Sequence, residues 1–101
     1  MPQWKAFERQ VAKLFKVFRT PLSGSSSHLT TGDIVHPVIF AECKYRKTSA
    51  VCNLFDETRI KAKHEGKTPM VALKQHGQRG FLLVIDSRDL QIFLREVKNA
   101  D

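Results

Sequence analysis

Cysteine is scarce in this chain, with only Cys43 and Cys52, and the two stand at no zinc-binding spacing. A disulfide-stapled secreted fold and a cysteine-based zinc module are thereby excluded. None of the four histidines has a partner at zinc spacing either, and no histidine-metal nuclease motif is present. Long hydrophobic runs are also missing. The longest unbroken one, Phe81-Leu82-Leu83-Val84-Ile85, has five residues, against the ~20 that a membrane-spanning helix needs. With no signal-peptide core and no disulfide framework, the expectation is a reduced, cytoplasmic protein without a membrane partner, prokaryotic or acting in a host if phage-encoded. Acidic residues are the remaining shortage. Ten Asp and Glu face seventeen Lys and Arg, a net charge of +7, so nucleic acid is the first partner to consider, with a merely solubilising surface as the alternative. At 101 residues without an internal repeat, the expected organisation is a single domain, 1–101, around one core.

Against that background the informative residues are Asp33 and Glu42-Cys43-Lys44, with Asp33 and Glu42 nine positions apart. They read as two arms of one β-hairpin whose turn falls at His36-Pro37-Val38. If Val35 faces Phe40, Asp33 stands across from Glu42, where cross-strand Cβ atoms lie roughly 4.5–5.5 Å apart. Pro37 disfavours the tight primed turns, so the register is open by one residue. Side chains alternate along a strand, which puts Glu42 and Lys44 on one face and Cys43 on the other. Opposed carboxylates destabilise a sheet unless a positive charge compensates them, and a hard divalent cation with oxygen ligands does so. The pattern is consistent with a magnesium site. A solvated strand face carrying Glu42, Lys44 and Arg46 is the commoner explanation of any E-x-K. Here both faces are apolar at the start, with Val38 and Phe40 on one and Ile39, Ala41, Cys43 and Tyr45 on the other, so the strand reads as central with its charges emerging at its end.

Trp4, Phe7, Val11, Leu14, Phe15 and Phe18 recur at three- and four-residue steps and predict an amphipathic helix over roughly residues 3–18. Glu8 falls at the border of its apolar stripe, where a carboxylate aimed toward the core must meet a cation or a hydrogen-bond donor; a solvated rim position is the bland alternative. Arg19-Thr20-Pro21 ends the helix, and a Ser/Gly loop follows from Leu22 to His28, either a plain linker or a set of hydroxyls and amides able to hold phosphates. Ser49 is placed to cap a second helix from about Ala50 to His64, with Val51, Leu54, Phe55, Thr58 and Ala62 inward and Gly66 closing it. Met70–Leu73 and Phe81–Ile85 read as strands covered on both faces. Asp86 or Ser87 then caps a last helix with Leu90, Phe93, Leu94 and Val97 inward. The order is α-β-β-α-β-β-α.

With these elements placed, the chain resembles the PD-(D/E)xK nuclease superfamily, and within it the archaeal-type Holliday junction resolvases. The matching residues are Glu8 on the first helix, Ser23-Gly24-Ser25 in the loop, Gly32-Asp33, Glu42-Cys43-Lys44-Tyr45-Arg46-Lys47, and the strand ending in Val71-Ala72-Leu73-Lys74. Gly32 stands where the motif's proline is expected, and the chain is shorter than a typical member. The resemblance implies an α/β, restriction-endonuclease-like fold with a central mixed sheet of about four strands flanked by helices. It implies Glu8, Asp33, Glu42 and Lys44 as catalytic residues, with Mg2+ (Mn2+ as a substitute) held by Asp33, Glu42, the backbone carbonyl of Cys43, and Glu8 directly or through water. Lys44 would orient or help deprotonate the attacking water. Ser23 or Ser25 would contact the phosphate backbone, and the implied DNA-binding set further includes Lys5, Arg9, Arg19, Arg46, Lys47 and Lys74. The implied substrate is branched DNA, a four-way junction cut by paired nicks, which calls for a homodimer with two sites. A compact phage- or virus-type nuclease acting on flaps, ends or duplex, and a non-catalytic DNA-binding protein, are the competing functions.

Overall fold

The computed structural model describes residues 2–21 and 30–100, and the chain forms two compact units, Met1–Lys47 and Thr48–Asp101. The elements run α1 (Gln3–Leu14), β1 (Phe18–Arg19), β2 (Ile34–Val35), α2 (Ala50–His64), β3 (Val71–Leu73), β4 (Leu82–Val84), a 3-10 turn (Ser87–Asp89) and α3 (Leu90–Lys98). This is a mixed α/β chain in the order α-β-β-α-β-β-α. Its strands, however, form two separate antiparallel pairs, β1 with β2 and β3 with β4, in place of the expected central sheet of about four strands.

In the first unit α1 stops at Leu14, four residues before the end that its apolar spacing predicts. Lys16 adopts a left-handed φ of 57°. Its amide donates to the Lys13 carbonyl at 3.0 Å and that of Val17 reaches back to Ala12, also at 3.0 Å, the paired bonds of a Schellman stop. The chain therefore leaves the helix early enough for Phe18 and Arg19 to become β1, paired as Phe18↔Val35 and Arg19↔Ile34. This pairing continues at Thr20, whose amide donates to the Asp33 carbonyl at 2.9 Å. Buried Ala12 and the fully buried Ile34 form the apolar centre of the unit. The most deeply packed face of α1 is thus Glu8 and Ala12, while Trp4, Leu14 and Phe15, expected inward, are exposed.

Val38–Tyr45, read from its alternation as a central strand, forms no ladder. The reason lies in competition for its backbone donors. The His36 ring nitrogen Nδ1 accepts from the amides of Val38 and Ile39, each at 2.9 Å, and the Asp33 carboxylate accepts from the amide of Cys43. Side-chain acceptors have taken what a neighbouring strand would need. Ring contacts hold the segment's flanks, Phe15 edge-on to His36 at 5.5 Å and Phe7 tilted against Tyr45 at 6.0 Å.

In the second unit α2 has the expected bounds. Ser49 Oγ accepts from the Cys52 amide at 3.3 Å, and Gly66, at φ 64°, follows the C-terminus, where its freedom from a Cβ permits the left-handed turn. Lys61, Lys63 and His64 in the last turn complement the negative end of the helix dipole. Phe55 is buried, whereas Val51 and Leu54, expected inward, are exposed. Val71↔Val84, Ala72↔Leu83 and Leu73↔Leu82 pair β3 with β4. These strands are not covered on both faces, since Phe81, Leu82 and Leu83 are all more than half exposed. Asp86 caps the 3-10 turn by accepting from the Arg88 amide at 2.9 Å. The Arg88 guanidinium, also bonded to it, and the nearby Arg59 hold the Asp86 carboxyl well below the usual carboxylate range.

Candidate functional site

The first unit brings Glu8, Asp33 and Cys43 together, from α1, the start of β2 and the irregular segment respectively. Of the partners expected for Glu8, a cation or a hydrogen-bond donor, Arg19 on β1 supplies both. Both Nε (3.0 Å) and Nη2 (2.8 Å) of Arg19 donate to Glu8 Oε1, with the two side chains 18% and 12% exposed. Arg19, assigned to DNA by the resemblance, is therefore engaged inside the unit. Thr20, which the sequence reading treated only as a helix terminator, is buried and bonded through Oγ1 to the Gly32 carbonyl at 2.6 Å. With the bond from its amide to the Asp33 carbonyl, Thr20 holds the peptides on both sides of Asp33 and with them the origin of the Asp33 side chain. The signal that pointed to Thr20 was present in Val17-Phe18-Arg19-Thr20, where three of four residues are β-branched or aromatic.

Asp33 joins the two halves of the motif. Its amide donates to the Ala41 carbonyl at 2.8 Å, and its carboxylate accepts from Cys43 N–H, part of the peptide that links Glu42 to Cys43. Segments 33 and 41–43 thus run side by side without an extended ladder. Gly32 makes the approach possible. A Cβ built there would stand 3.1 Å from the Ala41 carbonyl oxygen and 3.2 Å from the Phe40 ring. A proline would also remove the Gly32 amide that donates to Thr30 Oγ1 at 3.0 Å. These contacts account physically for a glycine at position 32.

Glu42 and Lys44 point away to solvent. Their side chains are 71% and 59% exposed, and Lys44 Nζ lies 4.0 Å from Glu42 Oε1, an exposed pair that contributes little stability. Cys43 is half-buried, and burial first, then the negative charges of Asp33 and Glu8, push its thiol above the ordinary range. The expected consequence is selective labelling. Near pH 8, Cys52, exposed on α2, should be alkylated by iodoacetamide well before Cys43, whose thiolate is disfavoured until the pH rises further. Peptide mass mapping over a time course reads the order directly, and faster modification of Cys43 would mean that the two carboxylates do not face it.

No group of three or more His, Cys, Asp or Glu side chains among the described residues is placed to hold a metal ion. Magnesium commonly keeps several waters and is bound through one or two carboxylates plus substrate phosphates. Asp33 and Glu42 stand on adjoining segments, but the Asp33 carboxylate is bonded to the Cys43 amide, Glu42 is directed to solvent beside Lys44, and Glu8 is Arg19's partner, so the structure does not bring the three expected carboxylates to one point. Of the DNA-binding candidates, Lys5 lies with Nζ 5.4 Å from the centre of the Trp4 ring, Arg9 is on the exposed side of α1, and Arg46 and Lys47 are exposed at the end of the first unit. Lys74 is exposed just after β3 in the second unit. Ser23 and Ser25 lie outside the described residues.

No helix among the described residues is long and apolar enough to cross a membrane. No protein-family model, curated protein or solved structure matches the chain.

Proposed function

We propose that the chain is a magnesium-dependent, structure-selective DNA endonuclease, resolving four-way junctions by paired nicks as a homodimer in the cytoplasm. The observation that carries this reading is the Asp33 carboxylate seated on the amide between Glu42 and Cys43, which joins the separated parts of a D…E-x-K motif. Asp33, Glu42 and the Cys43 carbonyl would hold the ion, with Mn2+ as a substitute. When bound, the ion supplies Lewis-acid polarisation of a phosphoryl oxygen and lowers the pKa of coordinated water. Lys44, held near Glu42 on the solvent side, sets a fixed positive charge against the charge that develops on the scissile phosphate and orients the attacking water. Thr20 and Gly32 act by positioning Asp33.

Substrate selectivity is tested by competition. Cleavage of a labelled junction should persist under excess unlabelled linear duplex and fall under excess unlabelled junction; equal competition by both would make this a general duplex nuclease. A non-catalytic DNA-binding role is favoured by one specific observation, the engagement of Glu8 by Arg19. It requires that no cut be made under any metal condition.

A further inference from the structure

We propose that the cavity between α1 and β1 takes the base of an unpaired DNA nucleotide, which stacks on Phe18. The proposal rests on the nuclease reading above and supplies it with a means of choosing branched over fully paired DNA. The cavity has a volume of about 420 Å³ and is lined by Arg9, Ala12, Val17, Phe18, Arg19 and Pro21, within the size range of small-ligand sites. Its walls are apolar, which suits the faces of a nucleobase. Arg9 and Arg19, the latter bonded to Glu8, are among its lining residues, which suits the attached phosphate and the base edges.

Phe18 is the most exposed aromatic residue among those described. It is 82% exposed although it sits within a strand pair, and it lines the cavity. Nearby on the same unit Trp4 is half exposed, with the Lys5 ammonium 5.4 Å and the Arg19 guanidinium 6.0 Å from its ring. Exposed aromatics interleaved with cations are how proteins stack and hold single-stranded nucleic acid. The net charge of +7 favours an anionic occupant over an apolar peptide. Arg19 also ties the cavity to the candidate site, since the side chain that lines the cavity holds Glu8. A nucleotide seated there lies beside the motif, and branch points supply unstacked nucleotides where continuous duplex does not.

The experiment is equilibrium binding in EDTA, where cleavage cannot intervene, of a single strand containing 2-aminopurine and of the same sequence fully paired. Wild-type protein should quench the single-strand fluorescence. Phe18→Ala should weaken single-strand binding roughly tenfold, the scale of one lost base stack, with duplex affinity unchanged, and Phe18→Trp should restore it. Because Phe18 is exposed, the alanine variant should fold normally, as circular dichroism will show. Equal affinity of wild type and Phe18→Ala for the single strand overturns the proposal, as does an equal loss on both DNAs. The two readings fail separately: a wild-type protein that never cuts but shows the Phe18-dependent quench refutes the nuclease, whereas cutting without that quench refutes only the base site.

Discussion

Replacing Glu42 by Gln should reduce cleavage of a four-way junction by at least about 10³-fold, the scale associated with losing a principal charge-stabilising group in a hydrolytic site, while junction binding stays equal or tightens slightly. The asymmetry follows from where Glu42 stands. Its side chain is largely in solvent and makes only a loose pair with Lys44, so amidation would remove the proposed cation ligand without disturbing the fold. Binding depends on Lys and Arg releasing counterions from the phosphates, and loss of one negative charge does not weaken it. Gel-shift affinity in EDTA and single-turnover cleavage in magnesium separate the two effects. Parallel loss of both would assign Glu42 to structure; retention of both would remove it from the chemistry.

The second large effect concerns stability. Arg19→Met should destabilise the first unit by about 2 kcal/mol, less than the 3–5 that breaking a fully buried pair costs, because both partners keep some exposure to water. The cost arises mainly from leaving the Glu8 carboxylate partly buried without its counterion. The double variant Glu8→Gln, Arg19→Met should therefore recover part of the loss, and the two changes should be non-additive. Denaturant melts of the wild type, both single variants and the double variant complete the cycle. Strict additivity would show that the Glu8–Arg19 contact contributes nothing.

What the sequence made legible was whatever depended on one element at a time. The Ser49 cap and Gly66 stop bracket α2 because capping is local chemistry. That Glu8 would meet a cation or a hydrogen-bond donor followed from helical geometry, whereas the hairpin that set Asp33 across from Glu42 did not form: β2 pairs with β1, and Asp33 meets Ala41 and Cys43 instead. The central sheet was not legible because strand formation depends on which acceptor wins each amide. Val38–Tyr45 has the alternation of a strand, but the His36 ring takes the amides of Val38 and Ile39, and the Asp33 side chain takes that of Cys43. Phe81–Ile85 has the composition of a buried strand yet pairs on one edge only, with β3. Within the candidate site, the roles of Arg19 and Thr20 escaped because the one lies in, and the other directly follows, a strand that exists only once Lys16 has turned the chain out of α1.

The most direct test of the central claim is incubation of the wild-type chain with an end-labelled four-way junction, in magnesium and in EDTA, with the nick positions read on both strands. The account predicts paired, symmetric nicks near the branch that appear with magnesium and vanish with the chelator. Tight junction binding with no nick in magnesium or manganese would contradict it and leave Asp33, Glu42 and Lys44 as ordinary surface and capping residues of a DNA-binding protein.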